Sequence, residues 1–213
     1  MHMPILAPEP FAFPANPFTP AGDGFGPAHS NDAVGDGQWM VMHTKSRAEK
    51  ALARRLLDAS VRFFLPLYKN QSSSRESGRV TTVHAPLFPG YLFVWGDADA
   101  RYRALASKLV AQCLPVFDQT ALEDDLAAVY RLMTGDLPLV PVQQIPVGTE
   151  VEVTAGPFAG LTGRMARLGS RSRLIVEVRM INQGVAVELD RSAVRVLTEN
   201  GDSERARLAL LRR

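Results

Sequence analysis

Residues 86–95 read Pro86-Leu87-Phe88-Pro89-Gly90-Tyr91-Leu92-Phe93-Val94-Trp95. The two prolines bracket a bend, and the stretch from Tyr91 to Trp95 that follows reads as a strand. Side chains along a strand alternate between faces, so Tyr91, Phe93 and Trp95 share one face while Leu92 and Val94 share the other. One face can pack on helices and the other can bind. For Tyr91 and Phe93 two readings stand side by side: filling a core, or meeting a partner.

Working outward, residues 39–43 (Trp39-Met40-Val41-Met42-His43) read as a buried strand. Ser46-Arg47-Ala48-Glu49 has the spacing of a capping box, in which serine and glutamate satisfy each other's free backbone donors. The helix it predicts carries Ala48, Leu52, Leu56 and Ala59 on one face and Arg47, Lys50, Arg54 and Arg55 on another. A second strand is predicted over 61–68, then a polar loop over 71–78 and a third strand over 79–84. Beyond Trp95, helices are predicted over 99–109 and from Thr120-Ala121-Leu122-Glu123, a second capping box, with a short strand at 113–117 between them. The order β-α-β-β-β-α-β-α predicts an α+β sandwich with one largely antiparallel sheet.

A proline-rich linker is expected over 135–146, and beyond it the periodicity shortens to two. Glu150-Val151-Glu152-Val153-Thr154, Glu177-Val178-Arg179 and Val185-Ala186-Val187-Glu188-Leu189 alternate, separated by turn signals at 155–157, 168–170 and 182–184. Five short strands in so few residues bury a core by closing on themselves, which predicts a small β-barrel. Residues 203–213 are compatible with a final helix.

The net charge of +2 is unevenly spread. Residues 1–38 hold no Lys or Arg and four acids (Glu9, Asp23, Asp32, Asp36), so the rest of the chain stands at +6. That balance tolerates contact with nucleic acid or an acidic protein surface but lacks the dense basic stripe of a dedicated DNA binder. The same 38 residues hold seven prolines, five glycines and four phenylalanines (Phe11, Phe13, Phe18, Phe25) without period, and are expected to be a disordered leader. No apolar run is long enough to cross a bilayer and no signal peptide is evident, so neither membrane nor export is expected. Cys113 is the single cysteine, which excludes an intrachain disulfide and fits a reducing cytoplasm.

The chain carries no phosphate-binding glycine loop, no H-E-x-x-H and no G-x-S-x-G. His2, His29, His43 and His84 are scattered, Cys113 lies in an apolar context, and Glu123-Asp124-Asp125 sits where a helix's first turn favours negative charge. Neither an enzyme, a cofactor nor a metal site is expected.

Two stretches are more specific. Val151-Glu152-Val153-Thr154-Ala155-Gly156-Pro157-Phe158-Ala159-Gly160-Leu161-Thr162-Gly163 turns the chain at Gly156-Pro157, offers Phe158 as a plug, and places Gly160 and Gly163 where backbone must bend or approach closely. It resembles the KOW motif of ribosomal and transcription-elongation proteins, and Val187-Glu188-Leu189-Asp190 resembles that domain's closing strand. The 86–94 stretch resembles the most recognisable segment of the N-terminal (NGN) domain of the NusG family, as Trp39-Met40-Val41 resembles its first strand. The resemblance covers about residues 38–197. It implies a leader (1–37), an NGN domain (38–134), a linker (135–146), a KOW domain (147–198) with an SH3-like barrel, and a C-terminal tail (199–213).

What the resemblance implies for function is a transcription elongation or antitermination factor. Its NGN domain would bind the clamp helices of the largest RNA polymerase subunit through Tyr91, Phe93, Leu114, Leu126 and Val129, suppressing pausing. Tyr102 and Arg103 would meet the polymerase lobe, although they depart from the His-Thr-Thr of RfaH-type relatives. Arg47, Lys50, Arg54 and Arg55 would face non-template or upstream DNA, or form a solvated helix face. The KOW domain, with Gly156, Pro157, Phe158, Gly160 and Gly163 as its motif, would recruit a small-subunit ribosomal protein or Rho through Ile181. Family members of this kind act as monomers. The leader, residues 86–94 and Met180-Ile181-Asn182-Gln183 look closer to a specialised RfaH-like paralogue than to the general factor. The β-branched residues of the C-terminal part favour a β-stranded resting state. A KOW-containing RNA-binding or ribosome-associated module is the competing class. It is expected to ring stacking aromatics with Lys and Arg, and the 91–95 strand carries none.

Overall fold

The computed structural model describes residues 11–18, 37–73, 80–135, 137–168 and 171–197. Among the described residues thirteen strands and three α-helices follow in chain order: β1 Ala12–Phe13, β2 Gln38–Thr44, α1 Glu49–Asp58, β3 Arg62–Phe64, β4 Leu67–Ser73, β5 Val80–Pro86, β6 Tyr91–Gly96, α2 Ala98–Ala106, β7 Val110–Leu114, α3 Gln119–Met133, β8 Leu139–Val142, β9 Thr149–Val153, β10 Thr162–Leu168, β11 Arg171–Val178, β12 Gln183–Val187 and β13 Val194–Val196. The chain divides into two compact units between Ala127 and Ala128, within α3.

The first unit is built on a five-stranded antiparallel sheet in the order β1-β3-β6-β2-β7. Its helix-side core unites Met40 and Met42, Leu92 and Val94, Phe63 and Leu65 with Leu52, Ala53 and Leu56 of α1 and Ala100 and Ala104 of α2. Leu92 and Val94 are therefore the residues that pack on helices, and the alternation read from residues 91–95 holds. Tyr91, Phe93 and Trp95 point to the opposite face.

The predicted strand over 61–68 is two strands. Pro66 has no amide to donate and ends β3, and the chain resumes as β4, which pairs with β5 in a separate two-stranded ribbon from Leu67↔Pro86 to Ser73↔Val80. The predicted polar loop at the ribbon's tip lies mostly outside the described residues.

Neither predicted capping box forms. Arg47 adopts a positive φ of 57°, which keeps it out of the helix, and α1 starts at Glu49 behind Ala48 with no side-chain cap. Glu49 is buried, and its carboxylate accepts the Gly90 amide at 2.7 Å instead. For α3 the cap lies two residues earlier than predicted: the Asp118 carboxylate accepts the Ala121 amide at 2.9 Å.

The leader is not wholly without structure. Within the expected disordered segment, β1 pairs with β3 (Ala12↔Phe64, Phe13↔Phe63), and the Leu65 amide donates to the Phe11 carbonyl at 2.6 Å. The rest of the leader, residues 1–10 and 19–36, lies outside the described residues, as does the tail with its predicted helix.

The second unit holds a six-stranded antiparallel sheet in the order β13-β9-β10-β11-β12-β8. The five strands predicted beyond residue 147 are all present. A sixth, β8, comes from the expected linker and pairs with β12 from Gly184↔Val142 to Val187↔Leu139. Both faces are buried: Leu174, Val176, Val185 and Val187 on one, Ile175, Ala186, Ala166 and Val142 on the other. Among the described residues no ladder joins β13 to β8, so the predicted closure into a barrel is not made by hydrogen bonds. β13 has only three residues, and Pro141 leaves β8 without one amide, the composition of edge strands.

Candidate functional site

The face carrying Tyr91, Phe93 and Trp95 is aromatic along its length. Phe93 lies 6.1 Å from Phe88, edge to face, and 6.5 Å from Phe64. Phe64 in turn meets Phe18 edge to face at 5.3 Å, and Phe18 stacks on Trp39 at 5.6 Å. At the far end Trp95 is sandwiched. The Arg62 guanidinium sits 4.4 Å above its ring, and Gly37 lies so close on another side that a Cβ there would meet the ring at 2.3 Å. Burial lowers the Arg62 pKa from its ordinary value, while the nearby Glu123 carboxylate opposes that shift.

Gln119 closes this face at the start of β2. Its side-chain amide accepts the Trp39 N–H at 2.7 Å and donates to the Trp39 carbonyl at 3.0 Å. A carboxamide thus continues the pairing that β7 gives to residues 41–44. Nothing in the local sequence marks Gln119 for this role, because its partner is 80 residues away.

The predicted polymerase-contact residues separate by burial. Phe93, Leu126 and Val129 are 0% exposed, so they fill core, and the partner-contact reading of Phe93 gives way to the packing one. Tyr91 and Leu114 are half-buried and reach the surface. Tyr91 pairs in register with His43, and His43 with Gln112, so the three form a row across β6, β2 and β7. The Tyr91 and His43 rings are tilted against each other at 5.2 Å, and His43 and Gln112 are exposed. Beyond β7, Phe117 is 95% exposed immediately before the Asp118 cap. An aromatic side chain left in water at that level is the clearest contact candidate that sequence reading passed over.

Tyr102 is 70% exposed, but it lies in the middle of α2 rather than at its start. Arg103 is engaged with Asp99 at 2.6 Å and reaches the Ala59 carbonyl at 3.5 Å. Arg54 and Arg55 are exposed on α1 and Lys50 is half-buried, while Arg47 precedes the helix, so the four do not form one continuous helix face.

In the second unit the 156–163 motif behaves as its residue types require. Gly156 and Gly160 take φ of 82° and 84° with open space around them. A Cβ on Gly163 would lie 2.5 Å from the Ile175 carbonyl oxygen, which explains that glycine by close strand approach. Phe158 is 2% exposed and its ring covers Gly135. Ile181 is half-buried in a single 3-10 turn (Arg179–Ile181) ended by Asn182 in the left-handed region, φ 50°. Among the described residues no group of His, Cys, Asp and Glu is placed to hold a metal, and no helix is long and apolar enough to cross a membrane.

The family model described as "Transcription termination factor nusG" matches residues 37–123. Those residues are a NusG-family domain. The match spans the sheet from β2 through β7 and ends in the first turn of α3, so it contains the whole Tyr91–His43–Gln112 row. Among solved structures, one titled "Domain interaction in Thermotoga maritima NusG" is 18% identical, with 76% of this chain and 98% of that chain covered and a TM-score of 0.46. Another, titled "Crystal Structure of MjSpt4:Spt5 complex conformation B", is also 18% identical, with 76% and 97% covered and a TM-score of 0.25. No curated protein matches the chain. The NusG domain assigns the chain a role in transcription, of the elongation-factor kind.

Proposed function

We propose that the chain is a transcription elongation or antitermination factor that docks the clamp helices of the largest RNA polymerase subunit. The contact is the surface row of Tyr91 and His43 with Gln112, flanked by Leu114. The observation that carries this reading is the contrast along β6 inside the NusG domain: Phe93 is sealed, while Tyr91, two residues away on the same face, reaches solvent beside a second exposed ring. An aromatic pair on a rigid sheet is the kind of anchor that an amphipathic helical partner buries. Phe93, sealed two residues along the same strand, holds that end of β6 rigid.

Tyr102 faces the polymerase lobe, and Arg54 and Arg55, with Arg47 and Lys50, lie toward the non-template strand. The second unit recruits a further protein, a small-subunit ribosomal protein or Rho, through the apolar turn at Ile181. The protein acts as a monomer in the cytoplasm, as a specialised paralogue with a β-stranded C-terminal unit.

The test is binding of the full chain to core RNA polymerase. Tyr91→Ala is expected to weaken binding about 30-fold, the effect of losing a contact worth about 2 kcal/mol, with an unchanged melting temperature. Equal binding by wild type and Tyr91→Ala would remove the proposed surface. No binding by wild type would remove the elongation-factor reading.

A further inference from the structure

Residues 11–18 straddle the edge strand of the first sheet. Phe13 turns to the helix-side core, where it packs against the cluster formed by Phe63, Leu65 and the α1 residues. Phe18 turns to the other face, where it stacks on Trp39 and meets Phe64 edge to face, and Pro17 before it is buried. At and just before Phe13 the backbone adds a strand to β3 through two residue pairs and the Phe11 carbonyl. One short segment therefore uses both faces and the free edge of a sheet, which is how an extended peptide is bound by strand addition.

The fit is incomplete in one respect. The Trp39 indole Nε1 is buried with no hydrogen-bond partner among the described residues, directly beneath Phe18. A buried donor without an acceptor marks a site that a better occupant can improve upon. The 18 residues between Phe18 and Gly37 include four glycines and two prolines. Eighteen residues reach at most about 60 Å when extended. Residues 11–18 belong to the same chain as the site, so they meet it without the cost of a bimolecular encounter.

We infer that the β3 edge with Trp39 and Phe64 is a docking site for extended Phe-Pro peptides, and that residues 11–18 fill it in cis as a displaceable ligand. A partner segment of the same chemistry, with an acceptor placed for the Trp39 indole, competes with the leader for this site. The inference does not depend on the polymerase-binding reading, because the site is made by β3 and the Trp39 end of β2 and not by the Tyr91–His43–Gln112 row.

Hydrogen exchange on the full chain tests it. In Phe13→Ala/Phe18→Ala, the amides of Phe63 and Leu65, which face β1, are expected to exchange at least tenfold faster, while those shared by β2 and β6 keep their protection. A synthetic peptide of residues 9–20, added at millimolar concentration, restores protection at Phe63 and Leu65 in the variant and changes nothing in the wild type, whose site is occupied. Unchanged exchange in the variant would show that the leader does not occupy the edge. Loss of protection across the whole sheet, in the double variant and in Phe18→Ala alone, would make the segment permanent core rather than ligand. Failure of the peptide to restore protection would overturn the docking site.

Discussion

The two faces of the first sheet are closed in different ways. The helix side is filled by aliphatic residues of α1 and α2, each placed by helical or strand periodicity close by in sequence. The other face is built from rings (Trp39, Phe64, Phe88, Phe93, Trp95) and closed piecemeal by Phe18, by the Gln119 carboxamide and by the Arg62 guanidinium. The helix face is a core with a single solution. The aromatic face is sealed in its middle and open toward Tyr91, so burial and availability to a partner exist side by side on one strand.

The largest test of that contrast is on β6 itself. Phe93→Ala removes a ring that is 0% exposed and is expected to cost about 3–5 kcal/mol of unfolding free energy. Tyr91→Ala, at the half-buried end, is expected to cost less than about 1 kcal/mol. Urea unfolding of both variants decides it. Comparable losses would mean that Tyr91 belongs to the core and that the open end of the face is not open.

A smaller effect concerns how the helix layer is tied to the loop preceding β6. Glu49→Ala leaves the Gly90 amide without its acceptor at 2.7 Å, and the expected cost is about 1–3 kcal/mol. Because Gly90 holds a φ of 85° and opens the strand that carries Tyr91, its amide is expected to exchange faster in the variant before any other residue of β6. Uniformly faster exchange across α1 would show instead that Glu49 serves its own helix.

These contrasts were partly legible in the sequence. Alternation over residues 91–95 assigned Leu92 and Val94 to one face and the aromatics to the other, because strand geometry leaves no other arrangement. The glycines at 156, 160 and 163 were legible for the same reason: backbone that must bend or approach closely admits few residue types. What local patterns missed was decided by partners far along the chain. Ser46 and Glu49 have the spacing of a cap, yet Glu49 is drawn 41 residues away to Gly90. Phe13 and Phe18 follow no period because each meets a different face of an edge strand, and their environment exists only once the sheet is formed. Pro138 and Pro141 suggested a linker, and the same composition suits β8, an edge strand.

On the aromatic face, Arg62→Ala removes the cation above Trp95 and is expected to cost about 0.5–2 kcal/mol. The indole loses one wall while Gly37 keeps the other, so a red shift in tryptophan emission without unfolding is the expected signature. An unchanged spectrum and stability would mean that Gly37 and the sheet alone hold the ring.

The smallest expected effect lies on the helix side and depends on pH. Asp97 caps α2 by accepting the Asp99 and Ala100 amides, each at 3.0 Å, and the Ala100 hydrogen bond is the main reason its pKa falls below the ordinary 3.8. A carboxyl whose pKa is lower in the folded than in the unfolded state contributes stability above the unfolded value, and that contribution is lost as pH falls through the folded one. Asparagine caps nearly as well but does not titrate in this range. Asp97→Asn is therefore expected to be slightly less stable than wild type at pH 5, with the gap closing as pH is lowered below 3.8. Urea midpoints of both proteins at pH 5 and pH 3 measure this, about two units apart on either side of the carboxylate range. A gap that stays constant would show that the cap works through geometry alone.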